Sequence, residues 1–138
     1  ATRNLRVRVD GKPGANPTCL YHTQECVPNS AAPFPAQWPA RAEEGPEEDA
    51  PVEILAPAQR SFTTPNRITR ADFDGWVEQR GSKFFTGWDP AYTAMIETHD
   101  QGQPPQKGGW VTATYGKGHY TYFAYAFHRQ LPYGVPGA

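Results

Sequence analysis

Cysteine, lysine and long apolar runs are all scarce in this chain, and each shortage closes off a class of function. Only Cys19 and Cys26 are present, so no multi-bridge disulfide framework can hold the fold. They lie seven positions apart. One pair permits one intrachain disulfide or two free thiols, and the redox compartment decides between them. A zinc site needs four ligands, usually opening on Cys-x-x-Cys, and only His22 lies nearby, so no metal is expected. Four lysines and nine arginines stand against 14 acids, for a net charge of −1. No long-range field therefore recruits nucleic acid or anionic lipid. No apolar run approaches the roughly 20 residues of a membrane-spanning helix. Residues 1–10, ATRNLRVRVD, lack an apolar h-region and do not read as an uncleaved signal peptide.

Proline and glycine are plentiful, with fifteen and thirteen copies, but follow no collagen period or simple repeat. Residues 1–50 read as irregular, with NLRVRV (4–9) as one short alternating strand before the turn-rich DGKPGANP. Residues 30–49 carry four prolines and a cluster of acids, which opposes regular structure and suggests an extended arm. Phe34 and Trp38, flanked by Pro33, Pro35 and Pro39, are unusual there. They are expected to pin the arm to a surface, this domain's or a partner's.

From residue 51 the pattern sharpens into an expected second unit, 51–138. PVEIL (51–55) reads as a buried strand between prolines. Thr69 and Asp72 have capping-box spacing, Phe73, Trp76 and Val77 share one helical face, and Gly81 offers a stop. The spacing predicts a helix from Thr69 to about Arg80. YTAMIETH (92–99) predicts a strand. WVTATY (110–115), a Gly116-Lys117-Gly118 turn and HYTYFAYAF (119–127) predict a hairpin. Both faces of its second strand are apolar, as for a strand covered on both sides. Strands interspersed with a helix suggest an α/β or α+β arrangement.

Two stretches, TTPNRITRADFDGWVEQRG (63–81) and GGWVTATYGKGHYTYFAYAFHRQLPYGVPGA (108–138), resemble a domain that follows the deacetylase module in large bacterial PIG-L (LmbE-like) proteins. That domain is similar to the ThuA-like branch of the class I glutamine amidotransferase-like superfamily. The resemblance covers residues 51–138 and implies an α/β, partial flavodoxin-like sheet, the C-terminal half of such a domain. The chain departs from the pattern at Gln59-Arg60, where the family carries His-Pro. The His-Pro-Asp-Asp zinc motif of the deacetylase itself is absent.

Amidotransferase chemistry needs a cysteine on a strand-to-helix elbow and a His-x-Glu after a late strand. Phe127-His128-Arg129-Gln130 resembles the second feature, but Gln130 cannot supply the charge that stabilises an imidazolium. No Gly-x-Ser-x-Gly is present. Asp72 and Asp74 are two apart on the predicted helix and do not face each other; Glu97 and Asp100 complete the candidate acids. The Gly116-Lys117-Gly118 run leads into a strand rather than a helix, which excludes a P-loop. No catalytic residue and no cofactor are therefore expected.

The expectation is a non-catalytic structural or interaction subunit that docks extrinsically on a larger protein assembly, such as a membrane complex, outside the cytoplasm. It would have no transmembrane segment of its own and no nucleic-acid partner. The alternative implied by the resemblance is a glycan-binding accessory module of an amidosugar deacetylase, with Asp74, Trp76, His99, Tyr120 and His128 around a pocket.

Overall fold

A computed structural model of the chain describes residues 45–138 together with 17–19, 26–28, 33 and 36–37. The strand expected at residues 4–9 lies outside the described residues. Nine short strands are present among the described residues: β1 (Pro17–Cys19), β2 (Cys26–Pro28), β3 (Ala36–Gln37), β4 (Val52–Ile54), β5 (Gly87–Trp88), β6 (Thr93–Ala94), β7 (Ile96–Thr98), β8 (Trp110–Tyr115) and β9 (Gly118–Phe123). One helical turn, α1 (Phe127–Gln130), is the only α-helix among the described residues. They form the ribbons β1–β2, β3–β5 and β4–β7 and the sheet β6–β8–β9. Every pairing among the described residues is antiparallel. The architecture is thus antiparallel sheet with few helices, and the parallel alternative has no counterpart among these residues.

The hairpin forms where the sequence places it. Tyr115 pairs with Gly118, leaving a two-residue turn. Gly116 takes φ +59, the positive value at the first central position that a II′ turn requires. The second strand, however, ends at Phe123, and residues 127–130 coil into α1. Nor is that strand covered on both faces, because His119 and Thr121 are exposed. Alternation explains the split. Tyr120 and Tyr122 join a cluster with Phe85, Tyr92, Val111 and Ala113. On the opposite face only Phe123, across from Trp110, reaches the main core of Phe62, Phe73, Trp76, Phe84, Met95, Ile96 and Tyr125.

The predicted strand over 92–99 is broken at Met95. Its N–H donates to the Trp110 carbonyl (2.9 Å) and its carbonyl accepts from Leu55 N–H (2.9 Å), so this residue carries the chain from the β8 side to β4. Met95 is fully buried at that corner.

The predicted helix over 69–80 is corrected more deeply. Thr69 and Asp72 do pair, with the carboxylate accepting from Thr69 N–H (2.6 Å) and Oγ1 (3.0 Å). A single 3-10 turn follows, Arg70–Phe73. Asp74 is then extended, and Gly75 and Glu78 have φ of +70 and +60. The expected apolar residues still face the core, with Phe73 and Trp76 buried. Helical bonds are replaced by other partners: Trp76 Nε1 donates to Asp72 O (3.1 Å), Arg80 Nη1 to Phe73 O, and Gln130 pairs with Val77. Gly81 therefore does not end a helix. It forms a bridge with Tyr125, where a Cβ would lie 2.4 Å from Ala124 O.

Contacts also run across residue 50. Ala36 is buried and pairs with Trp88, and Pro33 is buried. Arg80 N–H bonds Pro46 O (2.7 Å), and its guanidinium bonds Ala50 O. Ala36, Pro46 and Ala50 thus bond residues after position 51.

Candidate functional site

Two surfaces are candidates, a cleft and the C-terminal turn. The cleft, of about 360 Å³, lies between residues 82–88 and 103–107. Its walls are fixed by Phe85 N–H bonding Gly108 O (3.1 Å) and by reciprocal bonds between Thr98 and Gln106 (2.9 and 3.1 Å). Lys83, Phe85, Trp88, Gln103, Pro105 and Lys107 are among its lining. Phe85 stacks on Tyr122 at 4.1 Å, and the Tyr122 hydroxyl donates to Lys83 O (2.7 Å). Lys107 pairs with Glu97 at 3.4 Å. The loop 103–107 and Trp88 carried no motif, so only the coincidence of an aromatic, amides and lysines near two turns could have signalled them.

The C-terminal turn is built around Gln130, which is fully buried. Its Nε2 donates to Val77 O (3.0 Å) and its Oε1 accepts from Val77 N–H (2.8 Å). An amide matches a backbone peptide in both senses, so Gln130 acts as a one-residue β-partner. With that side fixed inward, Phe127, Leu131 and Tyr133 stand outward at 44, 56 and 65 % exposure. Pro132 lies within the 3-10 turn Leu131–Tyr133, and Gly134 ends it at φ +66. Arg129 adds an exposed pair with Glu78 at 3.3 Å.

Beneath this turn Arg80 is buried. Its guanidinium gives Nε and Nη2 to Ala50 O (3.1 and 2.8 Å) and Nη1 to Phe73 O, over the Trp76 ring at 5.6 Å. Burial lowers its pKa, while Tyr125, Asp74, Asp49 and Glu48 act the other way. The Tyr125 hydroxyl is buried with no hydrogen-bond partner among the described residues, and burial pushes the phenol far above its ordinary range.

The residues named from sequence are dispersed. Trp76 belongs to the main core and Tyr120 to the second cluster, edge-on to Tyr92 at 6.0 Å. Asp74 and His128 are exposed; His99 is half-buried, with Nδ1 3.0 Å from Asp100 O. None of the five lines the cleft. The other acids have structural partners: Glu97 has Lys107, and Asp100 Oδ1 accepts from Glu47 N–H (2.8 Å). Among the described residues no three His, Cys, Asp or Glu side chains gather as a metal site, and no helix is long and apolar enough to cross a membrane. Pro33 of the expected partner-binding set is buried, whereas Phe34, Pro35, Trp38 and Pro39 lie outside the described residues. The β1–β2 register sets Cys19 opposite Cys26. No family model, curated protein or solved structure matches the chain.

Proposed function

We propose that the domain is a non-catalytic interaction module that docks through its C-terminal turn onto a protein partner within a larger, extracytoplasmic assembly. One observation carries this reading. Gln130, the position where a His-x-Glu pair would need its carboxylate, is buried and spent on Val77, and the same anchor holds Phe127, Leu131 and Tyr133 in solvent. An amide there leaves His128, which is exposed, without a charged orienting partner at that position. Exposed large apolar side chains gathered on one rigid turn are what a protein interface uses. Derivation from the C-terminal part of an amidotransferase-like, flavodoxin-type sheet remains part of the proposal. It is supported by the sequence runs 63–81 and 108–138 and by the Gly116 hairpin they contain.

The test is native co-purification with the wild-type domain and with a variant carrying Phe127→Ser, Leu131→Ser and Tyr133→Ser. A partner held by the first and lost by the second, with unchanged circular dichroism, is expected. Equal retention by both would overturn the reading.

The cleft supports a second reading, a glycan-binding accessory module. A half-buried Trp88 beside Gln103, Gln106 and two lysines supplies a stacking face with hydrogen-bond donors. Titration with N-acetylated oligosaccharides should shift the Trp88 indole resonance; no shift at saturating glycan rules this reading out.

A further inference from the structure

We infer that the outer edge of β9 is a self-pairing site, through which two copies of this chain join antiparallel about a two-fold axis at Thr121. Antiparallel neighbours alternate between pairs that exchange hydrogen bonds and pairs that do not. Ala124 N–H donates to Gly109 O (2.8 Å), and Thr112 Oγ1 reaches Tyr120 O (3.0 Å). This phase turns the main-chain groups of Tyr120 and Tyr122 toward β8. It turns those of His119, Thr121 and Phe123 away, where they have no backbone partner among the described residues. Beyond Phe123 the strand ends: Ser82 N–H bonds Ala124 O (3.3 Å) and Ala126 N–H bonds Arg80 O (2.7 Å) on the side that faces β8, and residues 127–130 coil into α1. The opening is therefore confined to residues 119–123.

Natural edges are commonly guarded by lysine, proline, inward charges or bulges. From Gly118 to Phe127 there is no Asp, Glu, Lys, Arg or Pro. A second copy is therefore not repelled. The sequence His119-Tyr120-Thr121-Tyr122-Phe123 is also close to self-complementary under reversal. Centred on Thr121, the two-fold axis sets Thr121 against Thr121, and each His119 against the other copy's Phe123. Cross-strand threonine pairs and ring pairs are both favourable. Exposed rings flank the edge at both ends, Tyr115 opposite Gly118 at one and Phe127 packed on Phe123 (5.5 Å) at the other. Antiparallel union brings the Phe127 end of one copy to the Tyr115 end of the other. The result is a six-stranded sheet, β6–β8–β9 and its two-fold mate, with an isologous interface.

Thr121→Pro is the sharp test, because it deletes an N–H that the β8 ladder does not use, and proline is tolerated on a free edge. Sedimentation velocity from about 10 to about 500 µM, a span that reveals weak self-association, should show wild type moving from 15.3 kDa toward twice that mass. Thr121→Pro should stay monomeric with an unchanged far-UV spectrum. Should that variant misfold, Thr121→Lys serves instead, since the axis opposes two like charges; Thr114→Lys, off the edge on the same face, should dimerise normally. A wild type monomeric throughout, or a Thr121 variant that dimerises as wild type does, overturns the proposal. Phe127 flanks both surfaces, so the two are told apart by Thr121→Pro, which leaves residues 127–133 unchanged and should keep the co-purifying partner that the triple serine variant loses.

Discussion

Gln130 and Val77, 53 positions apart, hold each other as two peptides in a sheet do, with both amide atoms of the side chain bonded to both backbone groups of the valine. This contact fixes α1 against the residues that follow the Arg70–Phe73 turn. It also occupies the side chain that a histidine-assisted mechanism would have needed as an acid. Gln130→Glu should keep the bond from Val77 N–H but turn an acceptor toward the Val77 and Ala126 carbonyls. The expected loss is about 2–4 kcal/mol at neutral pH. Burial raises the new carboxyl above its unfolded value of about 4.3. Its stability contribution is therefore retained at low pH and lost as pH rises through the folded pKa. Urea titrations at pH 5 and pH 8 should show a larger deficit at the higher pH.

Arg80 presents a different dependence, on fork geometry rather than charge. Three guanidinium N–H groups serve two carbonyls, Ala50 O and Phe73 O. Lysine has no planar fork. Arg80→Lys should cost about 2 kcal/mol and Arg80→Ala about 3–4, since both carbonyls are then left buried without donors. Chemical denaturation measures both, and a lysine variant as stable as wild type would contradict the role.

Tyr125 should be better as phenylalanine. Its hydroxyl is buried without a partner among the described residues, so Tyr125→Phe removes a desolvation cost of about 1–3 kcal/mol while keeping the ring contacts with Phe84 and Phe123. The buried phenol has a folded pKa above the unfolded value of about 10. Stability is therefore intact below that pH and falls above it. Thermal melts between pH 8 and 11 should show this alkaline loss in wild type and less of it in the variant.

The proposed extracytoplasmic setting predicts an oxidised Cys19–Cys26 pair, because directly opposed positions of an antiparallel ladder fall within disulfide reach. Protein isolated without reductant should resist alkylation until reduced, as intact mass reports. Two alkylatable thiols at that stage would contradict this localisation.

Local signals carried part of this structure. The hairpin was legible because Gly116 supplies a turn that few residues can make, and β4 because its flanking prolines bound it. The Thr69–Asp72 pair was legible for the same local reason. The failed helix shows where such signals stop. Phe73, Trp76 and Val77 have helical spacing, yet Val77's backbone partner comes from Gln130. Arg80 likewise reaches back 30 residues to Ala50. Competition from partners so remote leaves no mark in a window of a dozen residues. The cleft was missed similarly, since Trp88 and Gln103 become neighbours only once Phe85 meets Gly108.

The most direct test of an interaction role is to follow the partner through the turn itself. With the domain fold intact, the triple variant Phe127→Ser, Leu131→Ser, Tyr133→Ser should lose a co-purifying protein that wild type and Lys117→Ala both retain. Retention of the same protein by all three would contradict the assignment of the turn as the docking surface.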